Sequence, residues 1–188
     1  MGSHNTFPVS LSIEQVINHN HKIDFSLSRR INRPSYTELN PVRWYTDQYF
    51  YYSGNPNLLP ELAWVYSLNY SIKNKYIFSV SYNQSENFIS RKLSFDEDNA
   101  VKTQSDNFGK RQRFDFTISI PFKPMGFWDV QFFADLDHTS YPISIINGEK
   151  KLSQWAIIST LQQDFNLPKE FTINLAAYFY SSELRGIY

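Results

Sequence analysis

Three arginines that lie close together, Arg29, Arg30 and Arg33, are well suited to bind an anion. A guanidinium group pairs bidentately with phosphate or carboxylate, so this cluster could contact an anionic ligand. The same side chains could instead hold the segment that follows them, through Glu38, Asp47 and backbone carbonyls. Of the two interpretations we favour the structural one.

An aromatic cluster follows the arginines, and its side chains could stack on a ligand. Rings of this kind also form the internal core of a long loop, or an aromatic girdle, and we favour that structural role. The cluster consists of Trp44, Tyr45, Tyr49, Phe50, Tyr51 and Tyr52. The candidate ligand-binding residues are therefore Arg29, Arg30, Arg33, Trp44, Tyr45, Tyr49 and Tyr51.

Two acidic groups could hold a metal ion or act in acid–base chemistry. The run Asp96–Glu97–Asp98 lacks the alternating oxygen ligands and the glycine of a calcium loop, so we interpret it as a solvated loop. Asp135, Asp137 and His138 could form a metal or acid–base set, but we interpret them as lumen-facing residues wetted by channel water. The chain has no cysteine and shows no hydrolase triad motif, phosphate-binding glycine loop or zinc-binding motif. We therefore predict no enzymatic activity, no metal site and no cofactor.

Composition narrows the choice of fold. The 188 residues carry 18 basic and 18 acidic side chains, so no charge excess points to nucleic acid. An aromatic fraction of 18% is too high for a disordered chain. The longest apolar run, from Leu175 to Tyr180, is far shorter than the roughly 20 residues of a membrane-spanning helix. Mean hydropathy of −0.45 does not exclude a membrane β-barrel, because the polar half of each strand cancels the apolar half.

Alternation of apolar and polar residues is the dominant pattern. Trp64, Tyr66 and Leu68 alternate with Val65, Ser67 and Asn69, and Phe114 and Phe116 alternate with polar residues further along. The pattern predicts an all-β, antiparallel meander of about eight strands of about ten residues, long enough to cross an outer membrane when tilted. A soluble β-sandwich with its apolar face inward, acting as a cell-surface ligand-binding module, is the alternative.

Short and long connections alternate along the predicted strands. This asymmetry is typical of outer-membrane barrels, which have tight periplasmic turns and long extracellular loops. The predicted short connections are residues 18–21, 73–74, 121–127 and 166–170. The predicted long connections are residues 31–60, 87–107 and 139–152.

A sequence motif in three pieces adds to this interpretation. Its first piece runs from Ser28 to Tyr36 (S-R-R-I-N-R-P-S-Y), its second is Leu39–Asn40–Pro41, and its third runs from Gly54 to Glu61 (G-N-P-N-L-L-P-E). Together they resemble the barrel region of TonB-dependent-receptor-like outer-membrane proteins of the Bacteroidetes type. The resemblance implies location in the outer membrane and energy-coupled uptake of a bulky nutrient.

The same resemblance has consequences for domains and partners. Barrels of this family are longer than eight strands and follow a plug domain, so residues 5–188 are expected to be one segment of a larger barrel. Residues 1–4 resemble the remnant of an expression tag. The implied partners are outer-membrane lipid, an unknown nutrient ligand and, through a plug domain, a TonB-type energy-coupling protein. In this setting the arginine cluster could contact lipopolysaccharide phosphates as well as an anionic ligand.

Overall fold

The computed structural model describes residues 9–96, 99–145 and 148–181. These form twelve strands and one short helix. The first half of the chain contains β1 (Val9–Asn18), β2 (His21–Asn32), α1 (Tyr36–Leu39), β3 (Arg43–Asp47), β4 (Phe50–Ser53), β5 (Glu61–Ile72) and β6 (Tyr76–Glu86). The second half contains β7 (Phe88–Phe95), β8 (Val101–Phe108), β9 (Arg111–Met125), β10 (Trp128–Ile145), β11 (Gly148–Asn166) and β12 (Thr172–Tyr180). Residues 1–4, for which we predict a tag remnant, lie outside the described part.

Eight of the strands form one antiparallel sheet in the order β1-β2-β5-β6-β9-β10-β11-β12. This order is a meander once the shorter strands are set aside, so the predicted fold class is confirmed. In the described residues β1 and β12 are the two edges of the sheet and do not pair with each other. The sheet is therefore an open wall with free backbone donors and acceptors along both edges.

The register of the sheet gathers apolar side chains on one face. Leu27 pairs with Tyr66, Tyr66 with Tyr82, and Tyr82 with Phe114 across four strands. One residue along, the partners on the other face are Ser26, Ser67, Ser81, Asp115 and Asp137. Because side chains alternate along a strand, the register keeps every strand's polar half on the same side.

No element of the described chain covers the apolar face. Tyr66 is 40% exposed, Leu68 47% and Trp155 56%, although all three lie within the sheet rather than at its ends. A β-sandwich would bury this face against a second sheet. A wall of this kind is stable when hydrocarbon covers the apolar side.

A second, smaller sheet was not anticipated from the sequence. β3, β4, β8 and β7 form a four-stranded loop sheet, with β4 and β8 parallel to each other. It lies in the two predicted long connections over residues 31–60 and 87–107, which do join consecutive wall strands as expected but contain strands of their own. The loop sheet follows the wall almost without a break, since only one residue, Asn87 in a left-handed conformation (φ 53°), lies between β6 and β7.

The third predicted long connection, residues 139–152, is wrong. β10 continues to Ile145 and β11 begins at Gly148, so the two strands extend as one tall hairpin. The alternation of apolar and polar residues weakens beyond Ser140, where Tyr141, Pro142 and Ile143 follow one another. The sequence pattern therefore does not predict the outer part of this hairpin. The four turns at the opposite end of the sheet are short, as predicted.

The three motif pieces meet in one corner. Ser35 caps α1 through a reciprocal pair of hydrogen bonds with Glu38, the arrangement called a capping box. Gly54 then donates its backbone N–H to the Asn40 carbonyl at 2.9 Å, and Asn55 donates to the Glu38 carbonyl at 2.6 Å. A Cβ on Gly54 would lie 2.7 Å from the Glu38 carbonyl oxygen, so the backbone approach requires glycine.

Candidate functional site

A cavity of about 290 Å³ lies on the polar face, where the loop sheet meets the wall. Five strands contribute to it, and two of its residues come from β7 of the loop sheet. The lining residues are Asn83, Phe88, Ser90, Arg111, Arg113, Asp137, Thr139, Tyr141, Gln154 and Ala156. Its position between a rigid wall and a shorter sheet resembles the concave, largely preformed sites that hold small ligands.

Arg111 is the best-anchored cation of the cavity. Its guanidinium forms an ion pair with Glu61 at 3.2 Å, and Glu61 is buried, with 6% of the residue exposed. The same group lies 4.3 Å from the centroid of the Phe88 ring and donates a 3.5 Å hydrogen bond to Ser85. These contacts fix one face of the guanidinium while a third of the side chain stays exposed.

Arg113 lies two residues along the same strand and faces two carboxylates. Its Nε is 2.6 Å from Asp115 and 3.9 Å from Asp137. Asp137 also accepts a 3.1 Å hydrogen bond from Thr139, and it is almost fully buried. The charges of the site therefore largely compensate one another, and they leave a mixed set of donors and acceptors.

The loop sheet reaches the wall through aromatic packing. The rings of Phe88 and Tyr141 meet edge to face with centroids 5.6 Å apart, and Tyr141 is buried. Asn107 ties the same end of the loop sheet to the motif corner, because its side chain donates to the Leu59 and Asn87 carbonyls and accepts from the Leu59 N–H. A polar surface beside two aromatic rings suits the binding of a polar ligand.

The predicted arginine cluster is divided between different surfaces. Arg29 shares the apolar face with Leu27 and lies over Trp64, with 5.5 Å between the guanidinium carbon and the ring centroid. Arg30 faces the other way and is exposed, and Arg33 follows the end of β2 and is also exposed. The structure therefore does not bring the three guanidinium groups onto one surface.

The aromatic cluster forms the body of the loop sheet. Tyr51 is only 2% exposed and donates a 2.7 Å hydrogen bond to Asp96, which also pairs with Arg43 at 3.2 Å. This hydrogen bond, together with burial, raises the pKa of the Tyr51 hydroxyl above its usual value. A hydrogen bond with Tyr45, followed by the nearby Tyr51 and Asp96, raises the pKa of Arg43. Tyr51 is thus a core residue in this structure.

The other predicted aromatic residues are accessible. Trp44 is 41% exposed and stacks on Tyr52 with ring centroids 5.8 Å apart. Tyr45 packs against Tyr51 at 5.2 Å but remains more than half exposed, and Tyr49 is still more exposed. Trp44, Tyr45 and Tyr49 therefore present a surface that a ligand could reach, whereas Tyr51 is buried and packs against Tyr45.

The two acidic groups do not form metal sites in the described chain. Asp96 holds Arg43 and Tyr51, while Glu97 and Asp98 lie outside the described residues. The predicted common face for Asp135, Asp137 and His138 is wrong, because His138 lies on the apolar face, where its ring is tilted against Trp155 and its Nε2 is hydrogen-bonded to Ser153. Within the described residues, no group of three or more His, Cys, Asp or Glu side chains could hold an ion.

Four residues of the cavity region were missed by sequence reasoning. Glu61, Phe88, Arg111 and Tyr141 come from separate strands, and only their positions in the sheet bring them together. Of these four residues, only Glu61 was singled out by the sequence, because it is the last residue of the third motif piece. Its role is now visible as the counter-ion of Arg111.

The sequence matches a known family of outer-membrane proteins. A family model described as "Outer membrane protein beta-barrel family" matches residues 3–188. No curated protein matches the sequence. No helix in the described part of the chain has the length and apolar character needed to cross a membrane.

Solved structures share the fold at low sequence identity. The siderophore receptor PirA from Pseudomonas aeruginosa superposes with a TM-score of 0.55 at 13% identity, over 92% of this chain and 42% of that chain. The ferric enterobactin receptor PfeA from the same organism, solved as mutant R480A with enterobactin, gives 0.52 at 12% identity, over 89% and 34%. A PfeA complex with BCV-L6 gives the same values. The chain thus spans less than half the length of these receptors.

Proposed function

The chain belongs to the outer-membrane protein β-barrel family, and we propose that it forms part of the wall of a receptor that takes up a bulky nutrient. In this proposal the apolar face contacts outer-membrane lipid and the polar face lines a water-filled lumen. The loop sheet stands at the extracellular end, where it contributes to ligand capture.

The observation that carries the proposal is the separation of the two faces across eight strands. A small eight-stranded barrel packs its interior with side chains. Here the interior face instead carries Asp24, Asn69, Ser79, Thr117 and Asp135 in successive register. Hydrogen bonds link them, from Asn69 to Asp24 and from Thr117 to Asp135. Such a surface suits a wide, hydrated passage.

The fold neighbours support a receptor rather than a simple pore. One is named a siderophore receptor and the other a ferric enterobactin receptor, and this chain covers 42% and 34% of their lengths. We propose that further strands complete the barrel and that a plug domain couples it to a TonB-type protein. Residues 5–188 are then one barrel segment, without enzymatic activity of its own.

Ligand capture is proposed at two places near the loop sheet. Arg111 and Arg113 offer donors at the cavity, within reach of a ligand that has entered the lumen. Arg30, Arg33, Trp44, Tyr45 and Tyr49 are exposed and could make first contact, supported by the buried Tyr51.

A growth competition tests this proposal. Strains with the wild-type gene, a deletion, R111A/R113A or K110A in the full-length protein compete on iron chelates, oligosaccharides and peptides too large for general pores. We expect the deletion and R111A/R113A strains to lose growth on one nutrient class, and the K110A strain to grow normally, because Lys110 lies outside the cavity and pairs with Glu86. Uptake of that class should stop when the membrane potential is dissipated. Equal growth of all strains on every source, or uptake that is independent of energy, would contradict the proposal. Immunoblots of outer membranes check that the variants are assembled.

A further inference from the structure

Arg29 is a cation on the face of the wall that carries most of its apolar side chains. Its strand neighbours on that face are Leu27 and Ile31, and its register partner is Trp64. Its Nε is shielded from solvent and has no hydrogen-bond partner among the described residues. In the same part of the chain, no carboxylate lies within ion-pair distance of its guanidinium. Among the described residues, therefore, no carboxylate compensates the charge.

The depth of Arg29 in the membrane explains how such a charge is tolerated. Its partner Trp64 is about ten residues from the turn at Asn74, which for a tilted strand corresponds to about 25 Å. This is about the height of the apolar band of an outer-membrane barrel. The cost of an outward-facing arginine is large at mid-membrane and falls to almost nothing at the interface. Arg29 accordingly lies at the outer boundary of the hydrocarbon.

The residues beside Arg29 mark the same boundary. Across the sheet the row continues from Trp64 to Gln84 and then Gln112. Gln112 donates a 2.9 Å hydrogen bond to the Tyr82 hydroxyl, which donates to Gln84 at 3.2 Å. Amphipathic aromatic rings and polar amides are typical of the headgroup level. One row nearer the turns, the outward residues are apolar or aromatic.

We propose that Arg29, supported by the ring of Trp64, binds a phosphate group of an outer-leaflet glycolipid of the lipid A type. The anion must approach from the lipid side at headgroup height, where lipid phosphates are the available partners. A guanidinium pairs bidentately with phosphate, and the ring beneath it limits its freedom before binding. Arg30 faces the lumen and takes no part. The inference depends on the face assignment and not on transport.

Native mass spectrometry of the detergent-purified full-length protein tests the proposal, with bis-phosphorylated lipid A as the probe. We expect R29Q to bind the lipid about tenfold more weakly, because a charge-assisted contact to phosphate is lost. R29K keeps a cation and should bind more tightly than R29Q. R30Q is the matched control, since the neighbouring residue faces the lumen, and it should bind like the wild type.

Three results would overturn the proposal. One is equal binding of lipid A by the R29Q variant and the wild-type protein. Another is equal binding of lipid A and its dephosphorylated form by the wild type. The third is displacement of the lipid by millimolar inorganic phosphate, which would indicate a free-anion site. Heat modifiability on gels establishes that each variant is folded. If R29Q does not fold, R29K and R30Q are compared instead, each for its binding of lipid A and of the dephosphorylated form.

Discussion

Glu61 and Arg111 form an ion pair that joins the motif corner to the cavity. Their side chains are 3.2 Å apart, and Glu61 is buried while Arg111 keeps partial contact with solvent. Arg111 in turn lies against Phe88, the first residue of strand β7 of the loop sheet. The pair therefore links the wall, the loop sheet and the candidate binding site, and its loss should affect all three.

Replacing Glu61 with alanine should destabilise the protein by about 1–3 kcal/mol, because the substitution leaves the half-buried cation Arg111 without its counter-ion. Thermal unfolding in detergent measures the change. E86A is the matched control, since Glu86 pairs with Lys110 on the surface, and it should cost less than about 1 kcal/mol. Equal losses for E61A and E86A would show that the buried pair has no special role.

Replacing Gly54 with alanine should cost about 1–3 kcal/mol or more, because the new Cβ would press on the backbone of Asn40 and Glu38. G126A serves as the control, since a Cβ there meets nothing within 4 Å. Refolding yield and thermal unfolding of the two variants provide the comparison. If G54A were as stable as G126A, the close packing of the motif corner would be refuted.

The two faces of the wall should tolerate charge very differently. L68R places a cation toward lipid near mid-strand and should cost about 2–4 kcal/mol on folding into vesicles. N69R, on the next residue, faces the lumen and should change stability little. F78R and S79R provide a second pair on β6. Denaturant titrations in lipid vesicles measure these free energies, and similar costs within each pair would contradict the assignment of faces.

Tyr51 should ionise at higher pH than an exposed tyrosine. Its hydrogen bond to Asp96 raises its pKa above the ordinary value of 10.0, so this contribution to stability is full below pH 10 and is lost as the pH rises through the folded-state pKa. Absorbance titration of the phenolate, wild type minus Y51F, should reveal this late-titrating group. Ionisation of Tyr51 at the ordinary tyrosine pKa of 10.0 would contradict the buried hydrogen bond.

Much of the wall was predictable from sequence, because membrane strands must alternate. Tyr66 and Leu68 lie on one face, as the alternation predicts. The same rule places Asp137 and His138 on opposite faces, and likewise Arg29 and Arg30, although these residues are adjacent in the sequence. The loop sheet was missed for a physical reason. Strand β8 reads Val101–Phe108 with polar residues on both faces, since its hydrogen bonds and neighbours hold it rather than an apolar stripe.

The cavity could not be predicted in the same way. Phe88 and Tyr141 are separated by 53 residues and meet only because the loop sheet leans over the polar face of the wall. No local pattern encodes that approach. The motif pieces did indicate an ordered corner, yet the pairing of Glu61 with Arg111 depends on the register between β5, β6 and β9.

Spin-label accessibility along β5 shows directly whether the apolar face of the wall contacts lipid and the polar face contacts water. The chain has no native cysteine, so single cysteines at residues 66–70 can each be labelled specifically. In lipid vesicles, labels at Tyr66, Leu68 and Tyr70 should collide with oxygen dissolved in the hydrocarbon. Labels at Ser67 and Asn69 should collide instead with a water-soluble nickel complex. A period of two is expected for a wall with lipid on one side and water on the other. Protection of the apolar positions from both reagents, as in a packed sandwich, would show that lipid does not cover this face.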